Sequence, residues 1–478
     1  MMAGTLFSRA FGLLRQAVFN NLYPDLAKDA FNVAFRVPNL FREILAEGAV
    51  TNALIPVLKS LEGDDRRAFV RRFFAFLLAA DLAVLGLVEL LAPFFADLLV
   101  AEGSRLDLGL VTLLIRLVAP FLLAISVAAL FSALLQAEER FLAPAFAPVA
   151  FNLAAVGLML ALPKAAPWIA VAYVTGGFAQ AAVQWPFLRG LGLEFRLDPK
   201  VRRAAYLMVP FVFSTSTRQV VNVVLTALLT AYPTAAVTGF YNAEMVYLML
   251  LGLLSVSPAV AVFPRLAEYA AQGESRAFRE LFGGALFQVG LLLALASALA
   301  WALAPWIVAA LFAWTPAFTA ANFRFSTEAL LALSLAVFPW GLYALLLRAY
   351  YARERVFEAV RVSVALFLLN ALGYYLLAPY GMFRLNLATV LAGWLGILLL
   401  ALGLHRGGWL DLGELSRRFL PIFGAALFAA FVARLFAGIA GPPAGALLSL
   451  LPLFAGGAGG VVGYLFMLRL ARVEGAGF

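Results

Sequence analysis

The chain has 478 residues, 64% of them hydrophobic and 13% charged, with a formal net charge of +9 and a mean hydropathy of +0.96. Soluble domains carry about 25% charged residues, so a soluble globular protein is excluded, and the long unbroken apolar runs exclude a transmembrane β-barrel, whose strands alternate. Cysteine is absent and His405 is the only histidine, which excludes disulfides and thiolate metal sites and argues against multi-histidine metal sites and Ser-His-Asp catalysis.

What remains is an all-α polytopic membrane protein. Fourteen hydrophobic segments are read, at 3–22, 29–58, 73–100, 108–136, 144–163, 167–188, 205–230, 236–264, 281–312, 324–348, 357–378, 385–404, 419–438 and 444–468. The first opens almost at Met1 without a basic leader, so it is expected to stay as a helix. It carries Arg9 and Arg15. An arginine at bilayer depth costs about 2.5–3.5 kcal/mol, and a chain keeps one where it faces a wet or protein-lined cavity and binds an anion. Six residues separate the pair, about 9 Å along a helix axis and about 120° around it. Arg36 and Arg42 repeat that spacing in the second segment, with Pro38 and Asn39 between them. Arginine suits phosphate because its fork donates bidentately and keeps its charge. The competing reading is internal ion pairing with Asp29, Glu43, Glu47 or Asp81, and it fits Arg36 best, which follows soon after Asp29.

Farther along, Arg116 and Arg434 lie within reach of segment ends and are expected to snorkel. Prolines 38, 144, 148, 258 and 264 punctuate the second, fifth and eighth segments, where bends are expected. The seventh segment holds six adjacent polar residues, Ser214 to Gln219, including Arg218, with Asn222 on the same face one turn on. Such a run does not face lipid on all sides and is expected to line a cavity. Glu244 is the acid well inside the eighth segment. It is read either as an ion-coupling site or arginine partner, or as a pore-lining residue satisfied by water.

Loops are short, and none has room for a soluble catalytic or nucleotide-binding domain. No phosphate-loop motif appears, and nothing calls for a cofactor. Counting loops and adjoining segment ends alternately, one side with both termini carries 23 Lys and Arg against 5 on the other. The positive-inside rule then places both termini in the cytoplasm. Topology thus accounts for the basic charge, without a nucleic-acid partner. The basic loop at 189–203 is the expected boundary between two six-helix lobes, 1–190 and 204–404, with two further helices at 418–470 as an appendage. Two-lobed transporters commonly bind between their halves near the midplane.

The stretch Phe7-Ser-Arg-Ala-Phe-Gly-Leu-Leu-Arg15 resembles the opening of the lipid II flippase (MurJ) family of the multidrug/oligosaccharidyl-lipid/polysaccharide exporter superfamily. The likeness continues through residues 29–42, Ala46-Glu-Gly-Ala49 and Pro56. It recurs at Pro144-Ala-Phe-Ala-Pro148 with Asn152, at Phe263-Pro-Arg-Leu266 and at Arg348-Ala-Tyr-Tyr-Ala352. The resemblance implies fourteen transmembrane helices, with two lobes around a central cationic cavity and a lipid-tail groove on the last two. It implies export of an undecaprenyl-diphosphate-linked peptidoglycan precursor across the bacterial inner membrane. By motif, Arg9, Arg15 and Arg42 match the family's cavity arginines and Asp29 its acid at the start of the second helix.

Three departures stand out. The family usually has Arg-Asp where this chain has Arg15-Gln16. Where the family has Ala-Asp-Arg-Leu in the eighth helix, this chain has Ala243-Glu244-Met245-Val246. The acid is kept and the base is lost, and Arg218 is the candidate to supply the missing charge. The sodium site of some relatives uses carboxylates. Here Asn222, Asn370 and Thr389 are neutral oxygen donors, with Tyr374 one turn after Asn370, so only a weak ion site is expected.

The reading that follows is a flippase working by alternating access, with no ATP motif and no enzymatic centre. The near rival is a flippase for another polyprenyl-diphosphate glycan, such as an O-antigen or capsule unit. A membrane-embedded glycosyltransferase would need paired acids or a metal motif in a loop, and none is found. A transport-dead scaffold that recruits the cell-wall synthesis machinery is the third alternative.

Overall fold

The computed structural model describes residues 2–45, 54, 57–188, 190–196 and 198–473, and among these the chain forms helices and no strands. Lipid offers no water to a backbone N–H or C=O, so each must be bonded within its own helix. Among the described residues, eleven helical stretches are long and apolar enough to cross a membrane. The protein is a multi-pass membrane protein. The contacts divide the chain into two compact units, Met1–Val237 and Thr238–Phe478.

The first unit contains α1 (Met2–Leu22), α2 (Asp25–Leu45), α3 (Gly63–Leu99), α4 (Leu108–Val118), α5 (Phe121–Ala137), α6 (Leu142–Ala161), α7 (Ala166–Ala182) and α8 (Pro199–Thr230). The apolar run expected as one helix at 108–136 is two. Pro120 stands between α4 and α5, and it has no N–H to continue the ladder. Helix α2 packs against α4, α5, α7 and α8, while α1 lies on α6. Close approach of α7 depends on Gly176 and Gly177. A Cβ on Gly176 would meet the Phe151 ring and carbonyl at 2.9 Å, and one on Gly177 the Phe121 ring at 2.9 Å. Small residues let membrane helices approach where lipid gives no hydrophobic drive to associate.

Neither α1 nor α2 is among the eleven stretches. In α2 the cause is direct: Asp25, Lys28, Asp29, Arg36 and Arg42 interrupt the apolar run. The second segment, expected to begin at 29, begins at Asp25. Its continuation beyond Leu45 falls largely outside the described residues.

The second unit contains α9 (Ala236–Leu251), a π-helical turn at Gly252–Val256, α10 (Ser257–Ala271), α11 (Ser275–Ala302), α12 (Ala304–Phe312), α13 (Ala320–Ala352), α14 (Val356–Leu377), α15 (Met382–Arg406), α16 (Leu412–Ala440) and α17 (Ala446–Leu470). The eighth segment, read as continuous over 236–264, is therefore interrupted by the π turn. The ninth breaks into α11 and α12 just before Pro305, which sits in the first turn of α12. Arg434 is exposed and also serves that break. Its Nη1 donates to the Ala302 carbonyl at 3.2 Å, and its Cζ lies 4.8 Å from the Trp306 ring centre. Arg116 is half exposed, with its Nε 3.9 Å from a Glu89 carboxylate oxygen.

Candidate functional site

In the first unit the candidates Arg9, Arg15, Arg36 and Arg42 lie on α1 and α2, neither of which is among the membrane-length apolar stretches. Helix α1 is held to α6 by Asn152, whose Nδ2 donates to the Ser8 carbonyl at 3.4 Å and to Pro148 O at 2.9 Å. The turn into α2 is fixed by Lys28. Its fully buried ammonium donates to Asn20 O at 3.0 Å, near the C-terminal end of α1, and pairs with Asp25 at 2.8 Å. A cation there complements the carbonyls that a helix end leaves unbonded.

Arg15 rises from α1 against the ring faces of Phe151 on α6 and Tyr173 on α7. Its Cζ is 4.9 Å and 4.8 Å from their centres. These rings belong to a larger aromatic cluster with Phe31, Phe35 and Phe121. The Arg15 Nε is buried without a hydrogen-bond partner. A guanidinium stacked on rings keeps its plane fixed while its charge remains available to an anion. Sequence reasoning missed Phe151 and Tyr173, which lie far along the chain and look like any other membrane aromatics.

The described contacts place the other candidates as follows. Arg36 is buried and its Nη2 donates weakly, at 3.5 Å, to Gln219 Oε1 on α8 instead of reaching Asp29. Asp29 is buried, and its Oδ2 accepts the Ala235 N–H at 2.6 Å, at a turn where Ala235 has φ 82°. Asp81 was expected as a partner for one of the arginines, but neither of its carboxylate oxygens accepts a hydrogen bond from any described residue. Arg42 is half-buried and its Nε donates to Asn39 Oδ1 at 2.8 Å, one turn back. Arg9 is also half-buried. The side chains of Arg218, Glu43 and Glu47 lie outside the described residues. Arg218 is within α8, where Asn222 is half-buried and its carbonyl accepts the Thr226 hydroxyl at 2.8 Å.

The second unit gathers the other candidates. Glu244 is half-buried on α9, close enough to Tyr247 and Tyr374 to act on them electrostatically. Tyr374 on α14 and Thr389 on α15 share a 2.6 Å hydrogen bond, and the buried Asn370 Oδ1 has no partner. The phenol hydroxyl and Thr389 therefore satisfy each other. No group of three or more His, Cys, Asp or Glu able to hold a metal occurs among the described residues.

Comparison with known proteins places these features. The family model described as lipid II flippase MurJ matches residues 20–455. The chain belongs to the lipid II flippase MurJ family. The lipid II flippase MurJ of Burkholderia cenocepacia is 30% identical over 461 residues, covering 88% of this chain and 86% of that one. A solved structure titled lipid II flippase MurJ, inward closed conformation, superposes with TM-score 0.82 at 20% identity and covers 98% of both chains. An inward-facing multidrug resistance MATE family transporter of the MOP superfamily superposes with TM-score 0.70 at 13% identity, covering 86% of this chain and 96% of the other. At those identities the structural matches speak for the fold. The α1 and α2 arginines occupy half-buried and buried positions of the first unit.

Proposed function

We propose that the chain is a lipid II flippase of the bacterial inner membrane, working by alternating access and catalysing no covalent chemistry. The observation that carries the reading is the family match across residues 20–455, joined to an Arg15 guanidinium that is held by two rings and whose buried Nε has no hydrogen-bond partner among the described residues. Arg9, Arg15 and Arg42 are the residues proposed to hold the substrate diphosphate, with Arg218 supplying the cation that Met245 does not. Asp29 and Glu244 complete the proposed polar lining. The proposed lobes span 1–190 and 204–404, and 418–470 forms a groove for the polyprenyl tail. Both termini are cytoplasmic in this reading, and the drive is the membrane potential or an ion gradient. The oxygens of Asn222, Asn370 and Thr389 offer at most a weak ion site.

A flipping assay in vesicles with defined lipid-linked substrates tests this. Lipid II should cross, and cells depleted of their own lipid II flippase should be rescued. Transport of an O-antigen or capsule intermediate with exclusion of lipid II would instead establish the rival substrate. Rescue without any transport would establish the scaffold reading, in which the chain recruits the wall-synthesis machinery.

A further inference from the structure

Asp81 is the most deeply buried unpartnered acid among the described residues, 1% exposed, with both carboxylate oxygens out of solvent and without a hydrogen bond. It lies on α3, nine residues after Arg72, about 13 Å along the helix at the usual rise. Its polar neighbour is Ser126 on α5, whose hydroxyl is also buried and unbonded. One to two turns from the pair along each helix, α3 and α5 contribute Phe73, Phe74, Leu77, Leu130, Phe131 and Leu134 to one apolar cluster.

The described charged groups on the elements packed against α3 and α5 are engaged or exposed, and the ionisable residue of α7, Tyr173, lies against Arg15. Helix α5 has no ionisable residue along Phe121–Ala137. Arg116 of α4 faces Glu89. On α2, Lys28 pairs with Asp25, Asp29 holds Ala235, Arg36 reaches Gln219 and Arg42 reaches Asn39. On α8, Lys200 pairs with Asp65, while Arg202, Arg203 and Tyr206 are exposed; the Arg218 side chain lies outside the described residues. On α3 itself, Arg72 is bound to Glu194 and Asp198.

A carboxylate left ionised and unpaired in such a place is heavily penalised, whereas the protonated acid is neutral and donates one hydrogen bond. We propose that Asp81 and Ser126 form a proton-binding site within the first unit, loaded when α3 and α5 are closed as here and unloaded when water enters the seam between them. The step is a simple transfer: the Asp81 O–H bond breaks, a water molecule takes the proton, and the carboxylate keeps the electron pair. The ligand is a proton because the donor set is two carboxyl oxygens and one hydroxyl, whereas a hard metal cation takes about six oxygens. Such a site gives a transporter without an ATP motif a chemical means of coupling to a proton gradient. Only the transport arm of the test below rests on the flippase reading.

The test uses the full chain in nanodiscs of phosphatidylethanolamine and phosphatidylglycerol, with infrared difference spectra recorded across a pH titration. The wild type should show the carbonyl stretch of a protonated carboxylic acid. Asp81→Asn should remove that band, and Ser126→Ala should shift it, with helix content by circular dichroism unchanged. A band that persists in Asp81→Asn, or that ignores Ser126→Ala, overturns the proposal, as does its absence from the wild type. If Asp81→Asn does not fold, the Ser126→Ala shift decides alone. In vesicles carrying lipid II, Asp81→Asn should flatten the pH dependence of transport. A variant that merely loosens packing would scale the rate equally at every pH, and that result counts against the proposal. Absence of transport in all proteins at all pH values would sink the flippase reading, leaving the infrared result to decide the proton site.

Discussion

At the residue scale, Arg15 shows what a cation requires in an apolar bundle. Its charge is supported by two ring faces, Phe151 and Tyr173. Each such contact is worth about 0.5–2 kcal/mol, so Tyr173→Leu should weaken lipid II binding or transport by about two- to thirtyfold. Arg15→Lys keeps the charge and loses the flat, stacking plane, and Arg15→Ala loses both. In a vesicle flipping assay normalised to inserted protein, activity should fall in the order wild type, Arg15→Lys, Arg15→Ala. Equal activity of lysine and wild type would show that bidentate, oriented binding is not used. Asp29 was legible as a special acid from its sequence block, but its partner, the Ala235 N–H, was not. A carboxylate far from an amide in the chain carries no local sign of their contact.

At the element scale, two devices hold helices together by opposite physics. Helices α16 and α17 pack through small residues. A Cβ on Gly460 would meet Leu299 Cδ2 at 2.4 Å and Ala433 Cβ at 2.9 Å. Gly460→Val should therefore destabilise by about 1–3 kcal/mol, the usual cost of overpacking, which thermal unfolding in detergent reads as a lower midpoint. Helices α3 and α8 are instead clamped outside the apolar region, where Arg72 reaches Asp198 at 2.6 Å and Glu194 at 2.8 Å. Burial alone would push the Asp198 carboxyl up, but the Arg72 bond, the Lys200 amide and the nearby charges outweigh it and hold the group below the ordinary carboxylate value. A lowered folded value means that the clamp contributes fully above the unfolded value, near about 3.9. That contribution is lost as pH falls through the lowered one. Wild-type stability should thus decline on acidification over that range, and Asp198→Asn should be less stable at neutral pH with a flatter acid limb. Identical acid limbs for the two proteins would remove Asp198 from the clamp.

At the scale of the whole molecule, topology is the property that the loop charges address. With 23 basic loop residues on one side and 5 on the other, the positive-inside rule gives cytoplasmic termini. The chain lacks cysteine, so single introduced cysteines report cleanly. Asp64→Cys, at a fully exposed position, should be shielded from an impermeant thiol reagent in intact cells. Ala165→Cys, in the exposed loop between α6 and α7, should be labelled. The reverse pattern would invert the protein in the membrane and reassign every loop.

The sequence alone determined the class, the family and where the charges lie along the chain. Composition forced helices, because lipid leaves a backbone no other way to bond. The blocks at 7–15 and 29–42 are dense enough in unusual residues to mark the family. Hydropathy was less able to locate boundaries: it merged α4 with α5 and α11 with α12, because a break at Pro120 or before Pro305 leaves both flanks equally apolar. Only the tertiary structure decided which ring faces Arg15 meets, that Arg36 turns to Gln219, that Arg434 caps a broken helix and that Asp81 has no partner. In a soluble protein, helical periodicity reveals the buried face because water tolerates the other. In a membrane, residues facing lipid and residues facing a neighbouring helix are both apolar, so the pattern that would have announced these contacts is erased.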